Sequence, residues 1–577
     1  MTVNYWKTAA SGDWNTASNW TDGLPGSNGD GVIIGPAGTY TVTLSAAGSS
    51  SLSLLMLAAD ATFSETSTGT LNLGDEFILQ AGTAILRNAN TIANGVNLQG
   101  GLLETSNASA LGSAAFTISG GEFVGLSTET VANQLKLSGD FTIAAATGKT
   151  LTLDGSSGWS LDNGSTLNFG DAAHKGTVVW YTPLFSSNPF FTNFVEVHDG
   201  TLKAGDQSFE KLFFETDTTT VDAGATIDMN GFGTQIYNLQ GQGVITDTGG
   251  GNLLIINNGN FSGQINGPIS LLIDGTVTLS GGGTYTGFVE IASGSTLNLS
   301  GTTTRTVKFD GAGTLSLSNA AHVAGTLNVT AASGGNDTVN GGSGDDTFAF
   351  GASLKANDKV NGGAGTDTVT LNGGYSGLTF TSTTMVNVEK LKLAAGHSYT
   401  LTTNNATVAS GQTLTIDGSA LSASNVLTFS GVVEINSHFV IIGGKGADKL
   451  TGGVLSDTFV YSSAAQSTST HYDTITDFKF GTDIFDTPGA AGTITGINTK
   501  VSSGTLSTAS FDANLTTAMS GHLTAHHAIL FTPTTGTLHG QTFLVVDLNG
   551  VAGYQSGSDL VIRMNGTTGT LAAGGFH

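Results

Sequence analysis

Apolar and polar residues alternate along most of this chain in bursts of four to six residues, each closed by glycine, asparagine or aspartate. YTVTL at Tyr40, GTLNLG at Gly69, KTLTLDG at Lys149, STLNFG at Ser165, GTLKAG at Gly200, GTVTLSG at Gly275, STLNLSG at Ser295 and GTLNVT at Gly325 are variants of one phrase. Period-two alternation with such punctuation predicts short strands. The phrase returns at irregular intervals of about 12 to 30 residues, which suits a right-handed parallel β-helix whose coils bury one another's apolar faces. A β-sandwich array is the competing arrangement. No helices break the rhythm before residue 500, and this favours the solenoid. The segment SFDANLTTAMSGHLTAHHAIL at Ser510 is the best helix candidate. As a helix it would set His522 and His526 on one face beside His527, a spacing that can hold Zn²⁺ or Ni²⁺, although exposed imidazoles are the plainer reading.

Within this rhythm one pattern is stricter. Gly341 to Ala349 (GGSGDDTFA), Gly362 to Thr370 (GGAGTDTVT) and Gly443 to Thr451 (GGKGADKLT) all fit G-G-x-G-x-D-x-U-x, with U apolar. The glycines permit a tight turn at positive φ, the aspartate points into the turn, and the apolar residue buries on a very short strand. Coil stacked on coil then gathers carboxylates and turn carbonyls into an oxygen cage of the kind Ca²⁺ takes. Each motif has a degenerate neighbour nine residues away, which places Asp337 before Asp346, Asp358 before Asp367 and Asp457 after Asp448. The expected Ca²⁺ residues are therefore Asn336, Asp337, Gly342, Gly344 and Asp346, then Asp358, Gly363, Gly365 and Asp367, then Gly444, Gly446, Asp448 and Asp457.

On these motifs the chain resembles the RTX proteins, the calcium-binding parallel β-rolls of Gram-negative bacteria. HYDTITDFKFGTDIFD at His471 is similar to the segment that follows the last repeats in many of them. The resemblance implies that Asp473, Asp477 and Asp483 hold a further ion while Ile475, Phe478 and Ile484 plug the roll. It also implies export by a type I system through an uncleaved C-terminal signal, which the tail from Gln541 resembles, with Asp547, Asn549 and Asp559 read as turn residues and metal binding as the alternative. Asp346 and Asp367 lie 21 residues apart, against 18 for two nonapeptides per coil. That excess predicts a small bulge around Phe350 to Ala352 and a few ions rather than a long row. The plain β phrase returns between Thr379 and Val440, so calcium turns and ordinary coils are expected to alternate.

Composition narrows the function. The 577 residues carry 84 glycines, only 11% charged residues and a formal charge of −25. Nucleic acid is an improbable partner for so acidic a chain, because it demands basic patches. With no cysteine there is neither a disulfide framework nor a thiolate zinc site. The first twenty residues lack the basic and apolar regions of a signal peptide, and no apolar run approaches the length of a membrane span.

Enzyme signatures are scarce. H-E-x-x-H and G-x-S-x-G do not occur, and the three arginines, Arg87, Arg305 and Arg563, are scattered. His174 with Lys175 and Trp180, and His198 beside Asp199, read as surface turns rather than catalytic groups. Trp6, Trp14 and Trp20 read as an N-terminal cap, with a sugar-stacking platform as the alternative.

The expected organisation is all-β: a cap (1–60), a β-helix-like solenoid (61–330), an RTX β-roll with interleaved plain coils (331–490) and a small C-terminal β-rich region carrying the export signal (491–577). Composition and repeats together resemble bacterial surface-layer proteins. The expected function is non-enzymatic: a secreted, self-assembling cell-surface protein of a Gram-negative bacterium. Its expected partners are other copies of itself, the type I secretion machinery, and surface polysaccharide or lipopolysaccharide. An RTX adhesin or biofilm-matrix protein is the alternative, and a polysaccharide-acting enzyme the third reading.

Overall fold

A strand of four residues with two inward apolar side chains cannot bury them alone, but a coil wound directly over it can. This sequence repeats that solution. The computed structural model describes residues 2–577 except 27–29, 49–52, 182–192, 210–211, 214–215, 282, 288, 293–294, 300–304, 311–313, 318–325, 331–336, 342–344 and 488–493. It is 44% strand, with about 18 parallel solenoid turns. Among the described residues the one α-helix of more than a single turn is Phe511–Met519. The chain divides into two compact units, Met1–Glu290 with Thr296–Asn298, and Ile291–Ser295 with Leu299–His577.

In the first unit, strands stack in parallel and in register. Val32, Leu54, Phe77, Val96, Phe116 and Leu135 sit on successive coils as one inward column, each paired with the next. All six are buried. The residues between them along each strand face outward and are less buried, as alternation requires.

The tryptophans close one end of this unit. Trp6, Trp14 and Trp20 are buried, and pack edge to face with Trp6–Trp20 and Trp14–Trp20 centroids 5.0 and 4.8 Å apart. The Trp20 indole N–H donates to the Trp14 carbonyl (2.7 Å). Trp6 and Trp20 form an antiparallel bridge, and Thr21 N–H donates to the Tyr5 carbonyl, so the segment around Trp20 covers the open side of strand Val3–Tyr5. An uncovered edge would invite pairing with another chain. No face of these rings is available for sugar, so the platform alternative falls.

Glu65 is buried at 1% exposure in the same unit, one oxygen accepting from the backbone N–H of Arg87 (2.7 Å) and Asn88 (3.0 Å). Burial outweighs these bonds and pushes its carboxyl up to about 6. A carboxyl with a raised folded-state pKa penalises folding above that pKa, and the penalty fades as pH falls towards the unfolded value. With Ca²⁺ saturating, Glu65 alone should therefore add about 1–2 kcal/mol to the stability of the first unit between pH 7.5 and pH 5. Glu65→Gln should flatten that slope; chemical denaturation of both proteins at the two pH values checks it.

The second unit is wound in the same way. Thr347–Phe350 pairs with Thr368–Leu371 in unbroken register from Thr347↔Thr368 to Phe350↔Leu371. The 21-residue coil thus places its extra residues in the turn after Phe350 and leaves the strand intact. Plain coils follow, through Lys390–Leu393, Thr413–Asp417 and His438–Ile442. The stack ends on an antiparallel group, His527–Phe531, Thr542–Val546 and Leu560–Met564, whose last strand pairs in parallel with Asp473–Ile475.

Two expectations are corrected here. The helix stops at Met519, with Phe511, Leu515 and Met519 packed on Ile529, Phe531, Phe543 and Val545. His526 then takes φ of 56° and His527 opens a strand, so the three histidines share no helical face. Ile484 does not plug the roll either. Along Ile484–Asp486 the buried position is Phe485, which stacks on Phe478 at 4.2 Å and on Phe576 at 5.4 Å. Strand parity starting from the turn carboxylate of Asp483 turns Ile484 outward.

Candidate metal centre

Seven aspartates of the repeats and of the segment after them do the same thing: each carboxylate accepts a backbone N–H from the coil before it. Asp358 accepts from Asp337 (3.1 Å) and Asp367 from Asp346 (2.7 Å). Asp448 accepts from Leu427 (2.7 Å) and Asp457 from Phe439 (2.8 Å). Asp473 accepts from Asp448 (2.9 Å), Asp477 from Gly452 (3.0 Å) and Asp483 from Asp457 (3.0 Å). The repeat aspartates therefore lie one above another along the stack. Asp337, Asp346, Asp358, Asp367, Asp448, Asp457, Asp473 and Asp483 are all buried.

What the second carboxylate oxygen does separates two kinds of site. Asp358 Oδ2 accepts from Lys355 N–H, Asp457 Oδ2 from Gly453 N–H and Asp483 Oδ2 from Lys479 N–H, so both oxygens of these side chains brace a turn and keep lone pairs to spare. Asp473 Oδ2 accepts from the Tyr461 hydroxyl (2.9 Å). By contrast, Asp367 Oδ2 and Asp448 Oδ2 are buried and receive no hydrogen bond. A buried, unpaired carboxylate oxygen is costly unless a cation meets it.

The glycines keep that oxygen accessible at close range. A Cβ on Gly362 would lie 2.5 Å from Asp367 Oδ2, and one on Gly443 would lie 2.4 Å from Asp448 Oδ2. Gly363, Gly365 and Gly444 take φ of 108°, 136° and 132°, a region L side chains rarely enter. On Gly446 a Cβ would fall 1.8 Å from the Asn425 carbonyl oxygen. Charged, buried, oxygen-only donors with an orphaned lone pair fit Ca²⁺ and do not fit a softer ion.

Electrostatics say the same. Burial, and secondarily the charges of Asp346, Glu389 and Asp345, push the Asp367 carboxyl up to about 6. Burial raises Asp448 to about 7 and Asp457 to about 6, the latter also facing Asp483 and Asp477. Asp473, buried and beside Asp448, is held well above the ordinary carboxylate range. Asp358, Asp477 and Asp483 are raised by burial too. A divalent cation would supply the missing positive charge and keep these groups ionised.

Asn336, Gly342 and Gly344 lie outside the described residues. The expected trio Asp473, Asp477 and Asp483 is split by the coil geometry. Asp473 belongs with Asp448 and Tyr461, whereas Asp477 and Asp483 belong with Asp457. Sequence reasoning also missed Glu389, whose carboxylate accepts from Asp367 N–H (2.7 Å) and continues that ladder by one coil. Its 22-residue offset from Asp367 was the available signal. In the C-terminal group Asp547 accepts from Gly550 N–H, Asn549 from Val551 N–H and Asp559 from Gln555 N–H, all turn contacts.

Residues 331–352 and 354–377 match the RTX calcium-binding nonapeptide repeat, and residues 402–498 match the Peptidase M10 serralysin C-terminal domain. No curated protein matches the chain. The matched parts are non-catalytic regions. They indicate an RTX-type, calcium-binding protein secreted by a type I system.

Proposed function

We propose that this is a surface-layer-like structural protein, in which Ca²⁺ orders the second unit outside the cell and licenses self-assembly at the cell surface. The observation that carries the reading is the aspartate ladder. The same carboxylates that tie coil to coil leave Asp367 Oδ2 and Asp448 Oδ2 for a cation, so binding and folding are one event. Asp367 and Asp448 are the proposed ligands nearest the ions, with Asp337, Asp346, Asp358, Asp457, Asp473, Asp477 and Asp483 completing the cages and bracing the turns. Cytosolic Ca²⁺ is too scarce to fill sites tuned to roughly millimolar levels, which keeps the chain exportable.

An apolar corner supports assembly. Val432, Val433, Ile435 and Val454 are each 45–58% exposed, and Val454 N–H donates to the Glu434 carbonyl, so they form one patch. Contiguous exposed aliphatics mark association surfaces. An adhesin would present a comparable exterior but remain monomeric. Electron microscopy of the purified chain decides between them: Ca²⁺ should yield sheets or tubes that excess chelator disperses. Monodisperse particles in millimolar Ca²⁺ would rule out the lattice.

A further inference from the structure

Outside the roll, one side-chain cluster gathers metal-binding atoms. It lies in the first unit, where Glu122 opens strand Glu122–Gly125 and Asp171 and His174 sit in the turn after Thr166–Phe169. His174 Nδ1 is 2.8 Å from Asp171 Oδ2 and 3.3 Å from Glu122 Oε1. One ligand atom from each of the three residues lies within 4.8 Å of the others.

We propose that Glu122, Asp171 and His174 form a binding site for a divalent transition metal, of the Zn²⁺ class, on the outside of the first unit. The argument is convergence. Two carboxylates approach the same ring nitrogen, so a single point lies within reach of one nitrogen and two oxygens. A second imidazole on the same unit shows what the alternative looks like. His198 contacts Asp222 through Nδ1 (2.8 Å) but Glu196 (3.4 Å) and Asn168 (2.9 Å) through Nε2. There the acids sit on opposite ring nitrogens and the imidazole bridges them. No single ion can replace that contact. The residue types match at the two places; the geometry differs.

The donors are held before any ion arrives. Asp171 Oδ1 accepts from the backbone N–H groups of Ala173 and His174, which fixes its other oxygen on the imidazole. Glu122 stands on a strand flanked on both sides, by Leu102–Thr105 and Asp140–Ala145. The side chains are 20–30% exposed, which leaves a path for the ion and room for water. Burial, and next the adjoining Asp171 carboxylate, push the Glu122 carboxyl up to about 7. The ion would take the place of the imidazole proton. One nitrogen and two carboxylate oxygens with an open position suit Zn²⁺, whereas three protein donors including a nitrogen are a poor set for Ca²⁺.

The test uses the full chain in millimolar Ca²⁺, so that the roll is saturated, titrated with Zn²⁺ by calorimetry and with Co²⁺ by visible absorption. One Zn²⁺ equivalent should bind. His174→Ala and Glu122→Gln should each weaken it about tenfold or more. His198→Ala and the pair His526→Ala with His527→Ala should leave it unchanged. Circular dichroism verifies folding of each variant, and Glu122→Gln, nearly isosteric, keeps the test valid if His174→Ala unfolds. Unaltered binding in both cluster variants, or no binding at micromolar Zn²⁺, would overturn the site.

Discussion

In excess chelator, amide protection should collapse across residues 337–486 of the full-length chain while residues 53–161 keep theirs. The first unit owes its stability to apolar columns such as Val32–Leu54–Phe77, which involve no buried acid. The second unit stacks buried carboxylates coil on coil, several with raised pKa values. A ligand that binds only the folded form stabilises it by about 1.4 kcal/mol per site at tenfold excess over Kd, so three such sites supply about 4 kcal/mol. Set against a marginal net stability of about 5–15 kcal/mol, and with buried charges left uncompensated, removing the ions should open the roll. Hydrogen-exchange mass spectrometry with and without chelator measures this segment by segment. Equal protection of residues 337–486 in both conditions would refute calcium-dependent folding.

Asp448→Asn should change stability in opposite directions with and without Ca²⁺. The introduced amide retains an oxygen to accept from Leu427 N–H but removes the charged atom left for the cation. With Ca²⁺ present the variant should need on the order of a hundredfold more calcium to reach half-folding. In chelator at pH 8 the wild-type carboxyl, pushed up to about 7, is ionised while buried. That ionisation costs about 4 kcal/mol, a penalty the amide escapes. The variant should then be the more stable protein, and its advantage should shrink as pH falls below about 7 and vanish only towards about pH 4, as Asp448 is protonated in the folded and then in the unfolded chain. Denaturation curves under the two conditions check the signs. A loss in both would show that Asp448 is only a turn brace.

Much of this was readable from residue order. Alternation with Gly, Asn and Asp punctuation specifies short half-buried strands, and their uninterrupted recurrence favours stacked parallel coils over a sandwich. The nonapeptides located the repeat aspartates for the same reason: positive φ at Gly363 and Gly444 needs glycine. Less legible was the division of labour among aspartates. Whether Asp457 Oδ2 meets Gly453 N–H or stays free depends on turn geometry, which a pattern of letters does not encode. Ile484 was misassigned because a single residue of parity reverses which side chain faces inward. Glu122 and His174 are 52 residues apart, and only the winding of the coils joins them. Spacing within a motif reports local chemistry, whereas contacts between coils follow coil length, and that varies from 18 to 26 residues in the aspartate ladders.

The direction of those ladders has a kinetic meaning. The rungs of the repeat aspartates run from an amide on one coil to a carboxylate on the following coil, whereas Thr366 N–H donates back to the Asp345 carboxylate on the coil before it. The series closes at Asp473, whose own N–H donates to the Ser467 hydroxyl, which donates in turn to the Val561 carbonyl. Val561 belongs to the antiparallel C-terminal group, a packed apolar cluster. In a one-dimensional array, order spreads from whichever repeat is already held. Were the C-terminal group to order first, winding of the roll would advance from it towards lower residue numbers, against the order of synthesis.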